Sequence, residues 1–229
     1  MEDLTTAQVI SYGLQEDNLV TASGIQSKNE TVFFNLTIED KDEDYKIKLP
    51  IPGKYNVYNA LAAISVGLVL DITIDKIKVG LAELKLTAMR NQISTSESGF
   101  KIINDTYNAN PTSMRAALNT LVEVATKNKI AVLGNMLELG SIANQEHNKL
   151  GHLVADKEID YLITIGNLGL EIAKGAKQAG MNENQIFSYQ KNEPAIEKIL
   201  RLITSGDTIL IKASRGMRLE QVSQALQDK

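Results

Sequence analysis

Through the first fifty residues, apolar and polar positions alternate in short runs. Residues 9–12, 19–25 and 32–38 are rich in β-branched and aromatic side chains and are separated by polar or glycine-containing turns, as in half-buried strands. Tyr45-Lys46-Ile47-Lys48-Leu49 sets apolar against basic residues and is expected to pair with residues 32–38 across the acidic turn at 39–44. Pro50-Ile51-Pro52-Gly53 is a strong breaker. After it the period lengthens. Val57, Leu61, Ile64 and Leu68 fall on one helical face, predicting a helix over residues 55–70. Asp75 is expected to cap a second, shorter helix with the stripe Ile77, Leu81, Leu84.

From about residue 87 strand-like and helical segments alternate to the end. The strands are predicted at 100–103, 130–133, 161–165, 185–188 and 208–211, and the helices at 113–125, 144–155, 168–179 and 193–203. Such alternation predicts an α/β unit, a mostly parallel sheet with helices on both faces. The chain therefore reads as two units, residues 1–87 and 88–229. The helix at 55–70 is apolar nearly all round, and a helix of that kind wants neighbours on several sides. The first unit is accordingly expected to be the β-rich and helical tail of a larger, incomplete domain.

Composition narrows the chemistry. The 229 residues include no cysteine, which excludes a disulfide framework, a thiolate metal site and a cysteine nucleophile. No apolar run approaches the ~18 residues of a membrane span, and the acidic start is no signal peptide, so a cytoplasmic location is expected. The net charge is −4 and the cations are scattered, which argues against nucleic acid as a partner. The acidic run at 39–44 reads as a solvated hairpin tip.

Three segments carry candidate chemistry. Asn104-Asp105-Thr106-Tyr107-Asn108-Ala109-Asn110-Pro111 follows a strand and precedes a helix, where ligands bind in doubly wound sheets. Helix capping by Thr112 or Ser113 is the plainer explanation, though so dense a polar loop exceeds what a cap requires. Gly134-Asn135-Met136-Leu137-Glu138-Leu139-Gly140 also links a strand to a helix, and its glycines permit close backbone approach. Lys212-Ala213-Ser214-Arg215-Gly216-Met217-Arg218 places cations and a hydroxyl beyond the last strand, suited to a carboxylate or phosphate, or else forming a charged surface turn. Three loops on three parallel strands should open on one edge of the sheet.

These three segments, preceded by Gly53-Lys54-Tyr55-Asn56-Val57-Tyr58-Asn59-Ala60, resemble the Mur ligase family over essentially the whole chain. The family has a uridine-nucleotide domain, a central ATPase domain and a C-terminal Rossmann-like domain. This chain resembles the end of the second and all of the third. The resemblance is strongest to the member that joins D-alanyl-D-alanine to UDP-N-acetylmuramoyl-tripeptide through an acyl phosphate, in peptidoglycan precursor synthesis. It implies ATP and Mg2+ as cofactors. Asn56, Asn59, Arg90, Asp105, Tyr107, Asn108 and Asn110 would line the ATP site, with Asn59 on adenine, Arg90 on the phosphates and Asp105 on ribose. Asn135, Glu138, His147, Lys212, Ser214 and Arg215 would lie on the side of the incoming dipeptide, with Lys212 and Arg215 holding its carboxylate.

The chain departs from the family pattern in having Asn135 where an aspartate is usual and Tyr55 where a histidine is common. No window matches the phosphate loop Gly-x-x-x-x-Gly-Lys-[Ser/Thr]; Gly53-Lys54 is followed by tyrosine. The family's magnesium-binding acid and modified lysine lie upstream with that loop, so no metal ligand and no certain catalytic residue are expected here. The chain is expected to be part of a longer enzyme and inactive alone. The alternatives are a family member that adds a single amino acid, and a non-catalytic nucleotide-binding module.

Overall fold

In the computed structural model the described residues are 5–7, 9–28, 30–39, 41, 43–84 and 89–227. The expected boundary between residues 87 and 88 lies outside them, as do the first four residues and Asp40 and Asp42 of the acidic turn. The chain divides into two compact units, split between residues 85 and 86.

The first unit holds a four-stranded sheet in the order β1-β2-β3-β4, with β1 Tyr12–Gly13, β2 Val20–Lys28, β3 Thr31–Ile38 and β4 Tyr45–Leu49. The expected β3–β4 hairpin forms, pairing Leu36 with Tyr45 and Val32 with Leu49. Its alternation is real: Val32, Phe34, Leu36, Ile47 and Leu49 are buried. The first expected strand shrinks to two residues, joined in parallel to β2. Helix α1, Asn56–Val69, starts after Gly53, whose φ of 94° is left-handed. It buries Val57, Leu61 and Ile64 and leaves Val66, Val69 and Leu70 exposed. Helix α2 is Ile74–Ala82. Asp75 is not its cap: Thr73 holds that position, and Asp75 lies in the first turn, where its charge still favours the helix dipole. Leu84 lies beyond the helix end and is exposed.

The second unit is the expected α/β layer structure. Its six-stranded sheet runs β5-β6-β10-β7-β8-β9, with β5 Gln92–Thr95, β6 Lys101–Asn104, β7 Lys129–Gly134, β8 Tyr161–Ile165, β9 Ile186–Tyr189 and β10 Thr208–Lys212. All neighbours are parallel except β5 and β6. Each strand sends alternate residues to opposite faces. Ile103, Ala131, Leu133, Leu162 and Leu210 pack with α3 Pro111–Val124, α4 Ala143–Asp156 and α5 Gly169–Gln178. Ile102, Ile130, Val132, Ile163, Ile209 and Ile211 pack with α6 Asn192–Leu202 and α7 Glu220–Gln227. Two elements were not anticipated. Strand β5 is a short, half-exposed antiparallel edge with one apolar residue. Helix α7 is short, although Val222 and Leu226 mark its buried face.

Helices α4 and α5 touch backbone to backbone at Gly151 and Gly175. A Cβ built on Gly175 would lie 2.0 Å from the carbonyl oxygen of Asn148, and one on Gly151 2.0 Å from that of Ile172. Among the described residues, no helix is long and apolar enough to cross a membrane.

Candidate functional site

The last strand in sequence, β10, lies in the middle of the sheet, between β6 and β7. The loops after these three parallel strands therefore leave side by side from one edge. This is where the strand order reverses, the place where open α/β sheets bind ligands. Direct contacts join the loops. The Ser214 amide donates to the Asn135 carbonyl (3.0 Å), and the Leu137 amide donates to Ser214 Oγ (2.9 Å). Lys212 Nζ lies 2.6 Å from Asp105 Oδ2.

Lys212 is not the exposed cation that the sequence suggests. It is 1% exposed, and its ammonium faces Asp105 Oδ2, the Asn108 carbonyl at 2.8 Å and, more loosely, the Asp105 carbonyl at 3.4 Å. Burial pulls its pKa below the ordinary lysine value; Asp105 opposes that shift and Arg90 adds to it. With its three donors directed at protein acceptors, it is an internal strut rather than a grip on a dipeptide. Asp105 also accepts from the Asn91 amide (3.1 Å) through Oδ1. Its side chain is 15% exposed, so it is not fully enclosed by these partners.

Tyr107 anchors a cationic corner. The Arg90 guanidinium lies 4.2 Å from its ring centroid and that of Arg215 5.3 Å. Both arginines are exposed. The Tyr107 amide donates to the Met89 carbonyl (3.0 Å). Met89 and Asn91, flanking Arg90, both adopt left-handed φ angles, 63° and 46°. Asparagine tolerates that region and methionine does so at a cost, so the bend presenting Arg90 is held by its bonds to the Asp105–Tyr107 segment.

Most of the other predicted ligand contacts make local hydrogen bonds. Asn110, not Thr112 or Ser113, caps α3. Its Oδ1 accepts from the Ser113 amide (2.8 Å), and Ser113 Oγ accepts from the Asn110 amide (3.0 Å), a reciprocal box followed by Pro111. Asn108 is exposed, and its Oδ1 accepts from the Ala109 amide. Asn135 Oδ1 accepts from the Leu168 and Gly169 amides at the start of α5 (3.1 and 3.2 Å). That role needs a neutral or anionic oxygen, and asparagine supplies it without charge. His147 is fully buried. Its Nε2 accepts from the Met136 amide (2.8 Å), and its Nδ1 lies 2.6 Å from the Ala143 carbonyl. With both ring nitrogens occupied, it faces its own loop rather than a dipeptide. Glu138 is exposed at a left-handed φ of 70°. In the first unit, buried Asn56 donates to the Pro52 carbonyl (2.7 Å) and accepts from Asn59 Nδ2 (3.0 Å), while Asn59 is exposed.

Residues 89–215 match the model of the Mur ligase glutamate ligase domain, and residues 2–67 that of the Mur ligase middle domain. The chain belongs to the Mur ligase family. Among Mur ligases, it is 34% identical over 97% of its length to the UDP-N-acetylmuramoyl-tripeptide–D-alanyl-D-alanine ligase of Bacillus subtilis, covering 48% of that protein. It is 31% identical over 91% of its length to the Escherichia coli ligase of the same name, covering 44%. The structure is similar to a crystal structure of MurF from Acinetobacter baumannii, with a TM-score of 0.85, 28% identity, and coverage of 97% of this chain and 47% of that one. The chain thus spans about half the length of the Mur ligases it matches.

Asn91 and Met89 were missed by sequence reasoning. Neither lies in a motif, and their part is played through main-chain atoms, which leave no mark on residue type.

Proposed function

We propose that the chain supplies the nucleotide-side and acceptor-side residues of a ligase that joins D-alanyl-D-alanine to UDP-N-acetylmuramoyl-tripeptide, driven by ATP. The observation that carries this reading is the likeness, over nearly the whole chain, to relatives of that name. The meeting of the three loops at one sheet edge supports it.

The partly exposed Asp105 carboxylate suits ribose hydroxyls, which donate to a charged acceptor. Lys212 and the Asn91 amide fix the orientation of that carboxylate. Arg90 is assigned to the phosphates, and Arg215 to the dipeptide carboxylate, which a guanidinium can hold with two parallel hydrogen bonds. Their shared ring, Tyr107, keeps the two anion-binding groups together, as a transfer needs when reactants must be adjacent. Asn59 is the candidate for adenine. Magnesium would neutralise the phosphates.

The test is ADP formation. The chain alone, lacking a phosphate loop, is expected to form none. Joined to the portion of the Bacillus subtilis relative that it does not match, it should form ADP when both UDP-N-acetylmuramoyl-tripeptide and D-alanyl-D-alanine are present. ADP formed equally well with a single amino acid in place of the dipeptide would contradict the proposal.

A further inference from the structure

His147 belongs to helix α4, and its ring links the first residue of that helix, Ala143, to Met136 of the preceding loop. The Ala143 carbonyl can only accept, so Nδ1 carries the ring proton. The Met136 amide can only donate, so Nε2 must present a lone pair. The two partners therefore require the neutral Nδ1–H ring. A second proton would set one N–H against another and break the bond to Met136. Burial already holds the His147 pKa below its ordinary value. The charged groups facing the ring are Glu146, on its own helix, and Glu171, on α5; both pull the other way, as does the bond to Ala143, but burial outweighs them.

The loop held this way carries exposed Leu137 and Glu138, and the next amide along, Leu137, is held by Ser214 of the β10 loop. A Cβ on Gly216, beside Arg215, would lie 3.0 Å from Leu137 Cδ1. The loop is thus the neighbour of the turn that presents Arg215. The Met136 side chain itself is fully buried.

We infer that His147 is a positioning residue, whose neutral ring holds the Asn135–Gly140 loop against the Arg215 turn and whose protonation releases the Met136 end of that loop. That this loop faces the acceptor rests on the functional reading above. The hold itself does not, and the test reads the backbone alone.

The test uses amide hydrogen exchange and nitrogen-15 NMR on this chain, from about pH 7.5 down to about pH 5, the range in which histidine changes charge. The His147 ring should titrate below about 6.5. Protection of the Met136 amide, corrected for the intrinsic exchange rate, should begin to fall near the ordinary histidine value of about 6.5, by up to tenfold per pH unit, and level off below the midpoint of the ring titration. The Asn91 amide, held by Asp105, should not follow. His147→Gln retains an acceptor that cannot be protonated and should keep Met136 protected at both ends of the range. His147→Leu should lose that protection at both ends. Met136 protection that ignores the ring titration in the unsubstituted chain would overturn the inference, whether or not either variant folds. So would a Gln variant that opens with acid as the unsubstituted chain does.

Discussion

The loops leaving β6 and β7 flank the same central strand, and they are held by opposite kinds of chemistry. The loop after β6 is tied down by charge: the buried Lys212 ammonium reaches the Asp105 carboxylate and the Asn108 carbonyl. The loop after β7 is tied down by neutral groups, the His147 imidazole and the Ser214 hydroxyl, each accepting from one backbone amide. An ion pair in a buried setting is strong once formed and costly to break from one side. A neutral histidine bond is weaker and can be switched off by a proton. The sheet edge therefore combines a charge-held side, which orients Asp105 and carries Tyr107, with a side whose hold depends on protonation.

The largest expected effect is on the charged side. Lys212→Met keeps length and apolar volume but leaves the Asp105 carboxylate without its cation. It should destabilise the chain by about 3 kcal/mol, the low end for a broken buried pair because Asp105 is partly exposed. Denaturant unfolding measures it, and a loss under about 1 kcal/mol would make the pair incidental.

On the neutral side, His147→Leu leaves the buried Met136 amide without an acceptor and should cost about 2 kcal/mol at neutral pH. It should also change the pH dependence. Because burial depresses the folded-state pKa of His147, the unfolded chain takes the proton first as pH falls. Its contribution is intact above about pH 6.5 and is lost as pH drops through the lower, folded-state value. Stability curves of the unsubstituted and Leu chains should therefore converge toward acid. Curves that stay parallel would show that His147 does not titrate as described.

Ser214→Ala removes the other neutral anchor, that of Leu137, and should cost about 1 kcal/mol with little pH dependence. Smallest is Arg215→Ala. The side chain is exposed, so stability should move by less than about 0.5 kcal/mol. If the proposed function holds, the same change in the chain joined to the unmatched portion of its Bacillus subtilis relative should weaken use of D-alanyl-D-alanine by about 1.5–3 kcal/mol while leaving ATP affinity almost unchanged. Unchanged dipeptide kinetics would return Arg215 to a solvated turn.

Much of this architecture was legible in the residue pattern. Near-continuous apolar runs such as Ile130-Ala131-Val132-Leu133 marked strands buried on both faces, and the helical stripes between them gave the layers. The edge strand β5 escaped because Gln92-Ile93-Ser94-Thr95 has no apolar run to announce it. The convergence of the three loops was also legible, since parallel strands end on one side. What each polar side chain does there was not. Lys212 and Asp105 are 107 residues apart, and nothing local distinguishes a lysine that turns inward from one that reaches solvent. The same holds for His147, whose partner is an amide on the preceding loop, and for Gly151 and Gly175, which are helix-weakening residues until the crossing of α4 and α5 explains them.

Lys212 and Asp105 act as one unit holding the β6 loop to β10. A double-mutant cycle with Lys212→Met and Asp105→Asn, followed by denaturant unfolding, measures that coupling directly. The account predicts that the two losses overlap, with a coupling energy of about 2 kcal/mol, because either change alone breaks the same contact. Strictly additive losses would contradict it.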